Sequence, residues 1–230
     1  GGCNLDTKEF LTVLSDGSTV SGHEYRMNDF LYSVFEKYSD EIMVDDLGNI
    51  ICFKKGKDNS SNPKIMLAAH MDEIGLMVKY IEENGFIRFT NIGGIDPRTI
   101  LGQEVIVHGR EDLFGVICSK PPHLQEAEEV NKAIKMEDMM IDLGYSKEEL
   151  EDLISVGDAI TIRRKFKSLQ GNRVVGKSLD NKAGVAAMYE CAKELVNINH
   201  EADVYFVSTV QEEVGVRGAF TSTYRINPDI

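Results

Sequence analysis

The sequence changes its pattern twice, and this double change constrains the fold more than any other feature. The first part alternates between segments that suit helices and strands. From about residue 75 to 164, short alternating stretches punctuated by glycine and proline indicate a β-rich unit. After Gly176 the α/β pattern returns. The sequence therefore predicts the α/β fold class, with a discontinuous α/β domain at 1–74 and 168–230 interrupted by a β-rich domain at 75–167.

Helix signals are clearest where a capping box precedes an apolar segment of helical period. Ser21 and Glu24 have this spacing, which predicts an amphipathic helix over about 24–38. Ser146 and Glu149 form a second box. The other predicted helices lie at 136–143, 146–154 and 182–196.

Short apolar segments predict the strands. Those at 49–53 and 64–69 are separated by a polar run and are expected to pair through a turn. The remaining predicted strands lie at 103–108, 114–119 and 204–210.

The composition excludes several classes of protein. The formal net charge of -13, without clustered Lys and Arg, argues against nucleic acid as a partner. No stretch approaches 18 apolar residues, so we expect no membrane insertion. The four cysteines lack paired spacing, which suits a reducing cytoplasm. They are Cys3, Cys52, Cys118 and Cys191.

The first cluster of chemically interesting residues is the run from Leu67 to Gly75. It places His70 and Asp72 two positions apart directly after an apolar strand. On an extended backbone these side chains face the same side, so Asp72 is expected to support His70 or a metal site. Taken alone, His70 is more often a satisfied structural residue than a ligand.

The second cluster places Asp180 in a glycine-flanked turn ahead of a helix. This carboxylate either caps the helix or binds two cations, and capping is favoured without other information. The third cluster, Glu212 and Glu213, follows an apolar strand. Adjacent carboxylates are costly there unless a cation or a catalytic proton uses them, although a solvated turn stays an alternative. Together the clusters supply ligand types that suit Zn²⁺ or Co²⁺.

In these three runs the chain resembles the TET-type aminopeptidases, which include glutamyl and deblocking aminopeptidases. The resemblance rests on residues 70–75, 178–182 and 211–219 and extends over nearly the whole chain. It implies a zinc-peptidase-like α/β/α catalytic domain with two divalent metal ions, zinc or cobalt. His70 and Glu213 would each bind one metal and Asp180 would bridge both. Asp72 would orient His70, and Glu212 would be the general base that deprotonates the attacking water.

The resemblance also implies peptide substrates and a homo-oligomer. Its inserted domain would be a dimerisation domain, and the intact protein would assemble from dimers up to a dodecamer. Two departures are visible. Asn181 and Lys182 stand where many members have a second acid followed by Arg. The family also continues past the equivalent of Ile230 with a further Asp and a late His, so the C-terminal part of the catalytic domain is expected to be missing and the chain inactive alone.

Two other functions stay open at this stage. A glycoside hydrolase such as an endoglucanase also uses paired carboxylates, but sugar clefts commonly use aromatic platforms and the sequence has no Trp. A non-catalytic assembly subunit would keep the contacts of the insert without binding metal.

Overall fold

The computed structural model describes residues 5–57, 61–121 and 133–230. The chain forms two compact units, Gly1–Glu73 with Lys165–Ile230, and Ile74–Arg164. Among the helices of the described residues, none has the length and apolar character needed to cross a bilayer.

The described helices and strands follow in chain order. The helices are α1 (Thr7–Asp16), α2 (Asn28–Phe35), α3 (Lys147–Leu153), α4 (Leu179–Leu195) and α5 (Arg217–Ile226). The strands are β1 (Glu41–Val44), β2 (Ile50–Lys54), β3 (Lys64–His70), β4 (Gly75–Ile81), β5 (Ile87–Ile92), β6 (Glu104–His108), β7 (Asp112–Ser119), β8 (Met139–Asp142), β9 (Ala159–Ile162), β10 (Lys167–Ser168), β11 (Val174–Val175) and β12 (Asp203–Thr209).

The first unit is built on a four-stranded sheet in the order β1-β2-β12-β3. Strand β12 runs parallel to β3 and antiparallel to β2, and β1 is antiparallel to β2. In the parallel pair, Thr209 lies opposite His70. The last residues of β3 and β12 therefore meet at the same edge of the sheet.

The alternation of side chains along each strand separates two apolar layers in this unit. Ile50 and Cys52 of β2 pack into the core that α1, α2 and α4 cover. Ile51, between them, belongs to a second cluster with Val207 of β12 and Ile226 of α5. Helices therefore lie on both faces of this sheet, and the unit has a mixed α/β fold.

The second unit is a closed barrel of six strands in the order β4-β5-β8-β7-β6-β9. Its interior is filled by aliphatic side chains, including the fully buried Leu76, Val105 and Ile160. Helix α3 begins at a capping box, in which Ser146 and Glu149 bond each other's backbone N–H groups. The helix predicted from this box is confirmed.

Three local predictions are wrong, and each fails for a long-range reason. Residues 136–143 form a 3₁₀ turn followed by β8, because this segment pairs within the barrel. The strands at 49–53 and 64–69 are present as β2 and β3, but they do not pair with each other, because β12 lies between them.

Ser21 and Glu24 form no capping box, because their side chains bond distant residues. The segment 24–38 consists of α2 with a 3₁₀ turn on either side.

Candidate active site

The predicted ligands converge at the edge of the sheet where β3 and β12 end. His70 is the last residue of β3, and the Glu212-Glu213 pair follows β12 after a short connection. Parallel strands place their carboxyl ends together, which is where α/β folds assemble sites. Asp180 reaches the same place from the turn that starts α4. These four side chains line one open pocket.

His70 lies at the centre of the cluster and is nearly buried, with a side-chain exposure of 8%. Its Nδ1 is 3.1 Å from the backbone carbonyl oxygen of Asp72, an acceptor, so Nδ1 carries the proton of the neutral ring. Nε2 then faces the pocket, 3.3 Å from Asp180 Oδ1 and 3.8 Å from Glu212 Oε2. This is the orientation that a histidine ligand needs.

Asp180 does not cap α4, which removes the structural alternative for this residue. Asn181 takes that role, because its Oδ1 accepts a hydrogen bond from the backbone N–H of Gly184. The backbone of Asp180 is not helical, and its side chain is 95% exposed where it meets His70. The carboxylate is therefore directed at the pocket.

Asp72 is fully buried and touches both halves of the cluster. Its Oδ1 lies 3.5 Å from His70 Nδ1 and accepts a hydrogen bond of 3.0 Å from the backbone N–H of Glu212. Its Oδ2 accepts bonds from Glu213 N–H at 3.1 Å and from Ser21 Oγ at 2.5 Å. Burial opposes its charge, but these hydrogen bonds outweigh burial and lower the pKa of Asp72. A charged Asp72 thus supports His70 and the backbone of the glutamate pair.

The electrostatics of the pocket favour positive charge. Burial opposes protonation of His70, yet the hydrogen bond to Asp72 and the charges of Asp72 and Glu212 raise the pKa of His70 to about 9. Burial also raises the pKa of Glu213, assisted by Glu212 and against the effect of His70. A raised pKa at both Glu213 and His70 indicates an excess of negative charge around the pocket.

The donor atoms fit a divalent cation. His70, Glu212 and Glu213 each offer one ligand atom, and these atoms lie within 4.8 Å of one another. Two donors that share a tetrahedral Zn²⁺ lie about 3.4 Å apart. The 3.3 Å between His70 Nε2 and Asp180 Oδ1 matches that spacing. Imidazole nitrogen with carboxylate oxygen is a donor set that suits zinc and cobalt.

A buried charge network next to Asp180 was missed by the sequence analysis. Glu73 accepts hydrogen bonds from Lys177 Nζ at 2.6 Å and from Ser178 Oγ, and Lys182 Nζ lies 3.7 Å away. Burial opposes the charge of Glu73, but both lysines outweigh it and lower its pKa; burial lowers the pKa of Lys182 to about 8. The network holds the turn that carries Asp180. The sequence did carry signals for this network. They were Lys177 and Lys182 on either side of Asp180, and Glu73 directly after Asp72.

Comparison with known proteins identifies relatives of this chain. Residues 48–230 match the family model of the M42 glutamyl aminopeptidases. The chain is 35% identical to the lysyl aminopeptidase of Pyrococcus furiosus, over 96% of this chain and 64% of that protein. This chain spans 60% to 64% of the length of five curated relatives.

Solved structures show the same mixed α/β fold. A TET aminopeptidase from a marine sediment Thaumarchaeota archaeon superposes with a TM-score of 0.92 at 35% identity, covering 97% of this chain and 64% of that one. The TET1 peptidase of Pyrococcus horikoshii, whose structures show assembly into a tetrahedron or a large octahedral shell, has a TM-score of 0.87 at 35% identity, covering 97% and 66%. From its sequence, its fold and its matched residues, the chain belongs to the M42 glutamyl aminopeptidase family.

Proposed function

We propose that this protein is a metal-dependent aminopeptidase that removes residues from the amino terminus of peptides. The observation that carries the proposal is the convergence of His70, Asp180, Glu212 and Glu213 on one pocket at the ends of two parallel strands. The names of the relatives support the reaction class, since they include a lysyl aminopeptidase and a glutamyl aminopeptidase.

In the proposed site, two divalent cations, zinc or cobalt, would be held by this chain's own side chains. His70 would bind one ion, Glu213 the other, and Asp180 both. When bound, such ions supply Lewis acidity, which favours deprotonation of water and stabilises negative charge on the scissile carbonyl oxygen. Asp72 keeps the His70 ring oriented through its backbone carbonyl and carboxylate.

Glu212 is the proposed general base. It lines the pocket with a side chain that is 37% exposed, so it is open to water and substrate. In this role it accepts the proton of the attacking water and passes it to the leaving amine, a contribution worth about 10²- to 10⁴-fold in rate. Its backbone N–H is held by Asp72, which limits the directions its side chain takes.

The proposal is tested on the protein expressed from the complete reading frame that contains this sequence. Hydrolysis of Leu-, Lys- and Glu-p-nitroanilide would be measured with Co²⁺, with Zn²⁺ and after chelation, beside a soluble cellulose derivative. We expect cleavage of at least one aminoacyl substrate that chelator abolishes and metal restores. Chelator-insensitive cellulose hydrolysis, without aminopeptidase activity, would instead support a glycoside hydrolase.

The number of donors leads to a separate proposal for the 230-residue chain alone. A catalytic zinc ion usually has three protein ligands, whereas the proposed site gives each ion two, His70 or Glu213 together with the shared Asp180. We therefore expect this chain, purified by itself, to bind metal weakly and to be inactive. Turnover of an aminoacyl p-nitroanilide near that of intact relatives would contradict this proposal.

We also propose homo-oligomerisation and a cytoplasmic location. The tetrahedral and octahedral assemblies of the P. horikoshii peptidase support the first proposal. Free thiols at Cys52, Cys118 and Cys191 support the second, because a reducing compartment keeps scattered cysteines unpaired.

A further inference from the structure

The connection from Val210 to Gly218, called here the glutamate loop, has an unusual backbone. Gln211 and Val216 both have positive φ, 55° and 56°, although neither is glycine. A β-branched residue such as Val rarely adopts this region, so the conformation needs support from its surroundings. Glu212 and Glu213 lie between these two residues, and their direction depends on how the loop is held.

Three buried polar side chains from outside hold the glutamate loop. Asn49 bonds both ends, accepting from Val210 N–H at 3.0 Å and donating to the Gly218 carbonyl at 3.1 Å. Asp72 accepts from the N–H groups of the glutamate pair. Glu24 Oε1 accepts from the N–H of Gln211 at 2.9 Å, directly before that pair.

Glu24 belongs to a segment that is itself fixed to the His70 side of the pocket. Thr19 accepts a backbone bond from Glu73 N–H at 2.9 Å, and the Ser21 N–H donates to the Glu73 carbonyl at 3.2 Å. The Ser21 hydroxyl donates to Asp72 at 2.5 Å. Residues 19–24 therefore tie the end of β3 to the glutamate loop.

The burial of Glu24 needs an explanation beyond stability. The residue is only 5% exposed, and burying a carboxylate costs free energy that an apolar side chain would avoid. The backbone N–H of Gln211 supplies that explanation, because it lies two positions past the end of β12 at Thr209 and donates to the buried Glu24 carboxylate.

We propose that Glu24 and Ser21 are positioning residues for the aminopeptidase reaction, setting the direction of Glu212 and Glu213 through the backbone of Gln211 and the carboxylate of Asp72. This inference rests on the proposed function. Neither residue touches the pocket-facing atoms of His70 or Asp180 in the contacts described above. Their effect on catalysis is therefore indirect.

The main test replaces Glu24 by Leu and by Gln in the complete protein. Glu24→Leu removes the acceptor, and Glu24→Gln keeps one oxygen for the Gln211 N–H. We expect Glu24→Leu to speed amide exchange at Gln211 at least about tenfold and to weaken Co²⁺ binding in calorimetry by about 10- to 100-fold. Its kcat should fall about 100-fold with KM changed by less than about threefold, because a small misplacement of the base affects the chemical step. Glu24→Gln should lie nearer to the wild type in every readout.

A second variant and a control separate positioning from general destabilisation. Ser21→Ala removes only the hydroxyl that bonds Asp72 and should show smaller changes in the same direction. Val34→Ala, on the buried face of α2, should lower the melting temperature and lies outside the glutamate loop. Even if Val34→Ala loses as much melting temperature as Glu24→Leu, it should keep the wild-type Co²⁺ affinity and the wild-type rate of amide exchange at Gln211.

The proposal is overturned if Glu24→Leu leaves Gln211 exchange and Co²⁺ affinity within about twofold of the wild type, or if Val34→Ala changes them equally. Both readouts are made without substrate. A wild-type protein with no aminopeptidase activity would therefore count against the proposed function and leave the positioning role to be decided by exchange and cobalt binding.

Discussion

The two adjacent glutamates have different surroundings, and we expect them to have different roles. Glu212 lies 3.8 Å from His70 Nε2, whereas burial raises the pKa of Glu213 beside it. We predict that Glu212→Gln lowers kcat by about 10²- to 10⁴-fold while Co²⁺ binding is largely kept. Glu213→Gln should lower Co²⁺ affinity instead, because a charged ligand becomes a neutral one. Calorimetry and steady-state kinetics on the two isosteric variants measure the difference.

Each of these glutamate variants is the control for the other, since both keep the side-chain volume. Equal losses of metal affinity would show that the two carboxylates act as ligands alike. Full activity of Glu212→Gln at saturating metal would exclude this residue as the base.

The charge of His70 makes the stability of the metal-free protein depend on pH. Its pKa of about 9 lies above the ordinary value of 6.5, so the folded state holds the proton more tightly than the unfolded state. This contribution to stability is present below about pH 6.5 and is lost as the pH rises towards 9. Urea unfolding in the presence of chelator should show stability falling between about pH 6.5 and 8; above pH 8 the lowered pKa of Lys182 acts in the opposite direction.

A His70→Gln variant should lose most of this pH dependence, whereas His200→Gln, whose ring bonds the Ala202 carbonyl outside the pocket, should keep it. A His70→Gln protein with the same pH profile as the wild type would mean that another group titrates.

Among the elements, local signals were reliable where nothing distant overrode them. The strand predicted at 204–210 from its apolar run is β12, and the helix predicted at 146–154 from its capping box is α3. Pairing between strands was not predictable in the same way. The neighbours of β2 and β3 are decided by β12, which lies about 150 positions later in the chain than β2.

In the candidate site, too, residues with a local sequence signal were found and a residue with a distant partner was missed. The sequence singled out His70, Glu212 and Glu213 by their place after apolar strands and Asp180 by its turn before a helix, and the family resemblance implied their roles. The structure brings these four side chains together. Glu24 was assigned to a capping box, because its spacing from Ser21 is local, whereas its partner Gln211 is 187 positions away. A contact over such a distance leaves no local pattern in a single sequence.

The start of α5 packs closely on the end of β12, and Gly218 makes this possible. A Cβ at this position would collide with Asn49 Oδ1 and with backbone atoms of Val210. Because backbone atoms cannot move aside as easily as the end of a side chain, the clash would strain the fold. We predict that Gly218→Ala lowers the free energy of unfolding by about 1 to 3 kcal/mol. Gly94→Ala is the matched control, because a Cβ there meets no atom within 4 Å.

Chemical denaturation of the two glycine variants measures the difference. If Gly218→Ala were as stable as Gly94→Ala, the tight approach of α5 to β12 would be wrong.

For the molecule as a whole, we propose that the barrel mediates self-association. Strand β7 alternates between buried and exposed residues, and its outward face presents Phe114 at 50% exposure and Val116 at 36%. Apolar side chains on the outer face of a barrel are suited to an interface between copies. We predict that Phe114→Glu shifts the protein to smaller species in sedimentation velocity, because a buried charge opposes association.

Tyr25→Ser is the control for this experiment, since Tyr25 is 63% exposed in the other unit. If Phe114→Glu left the assembly unchanged, or if Tyr25→Ser dissociated it equally, this face of the barrel would not be the interface.

The most direct test of the account is the position of bound metal. Crystals of the protein grown or soaked with Co²⁺ would be measured by anomalous diffraction at the cobalt edge. We predict two anomalous peaks in the pocket, one in contact with His70 Nε2, one in contact with Glu213, and both in contact with Asp180. Peaks located away from these side chains, or a pocket without cobalt at millimolar concentration, would contradict it.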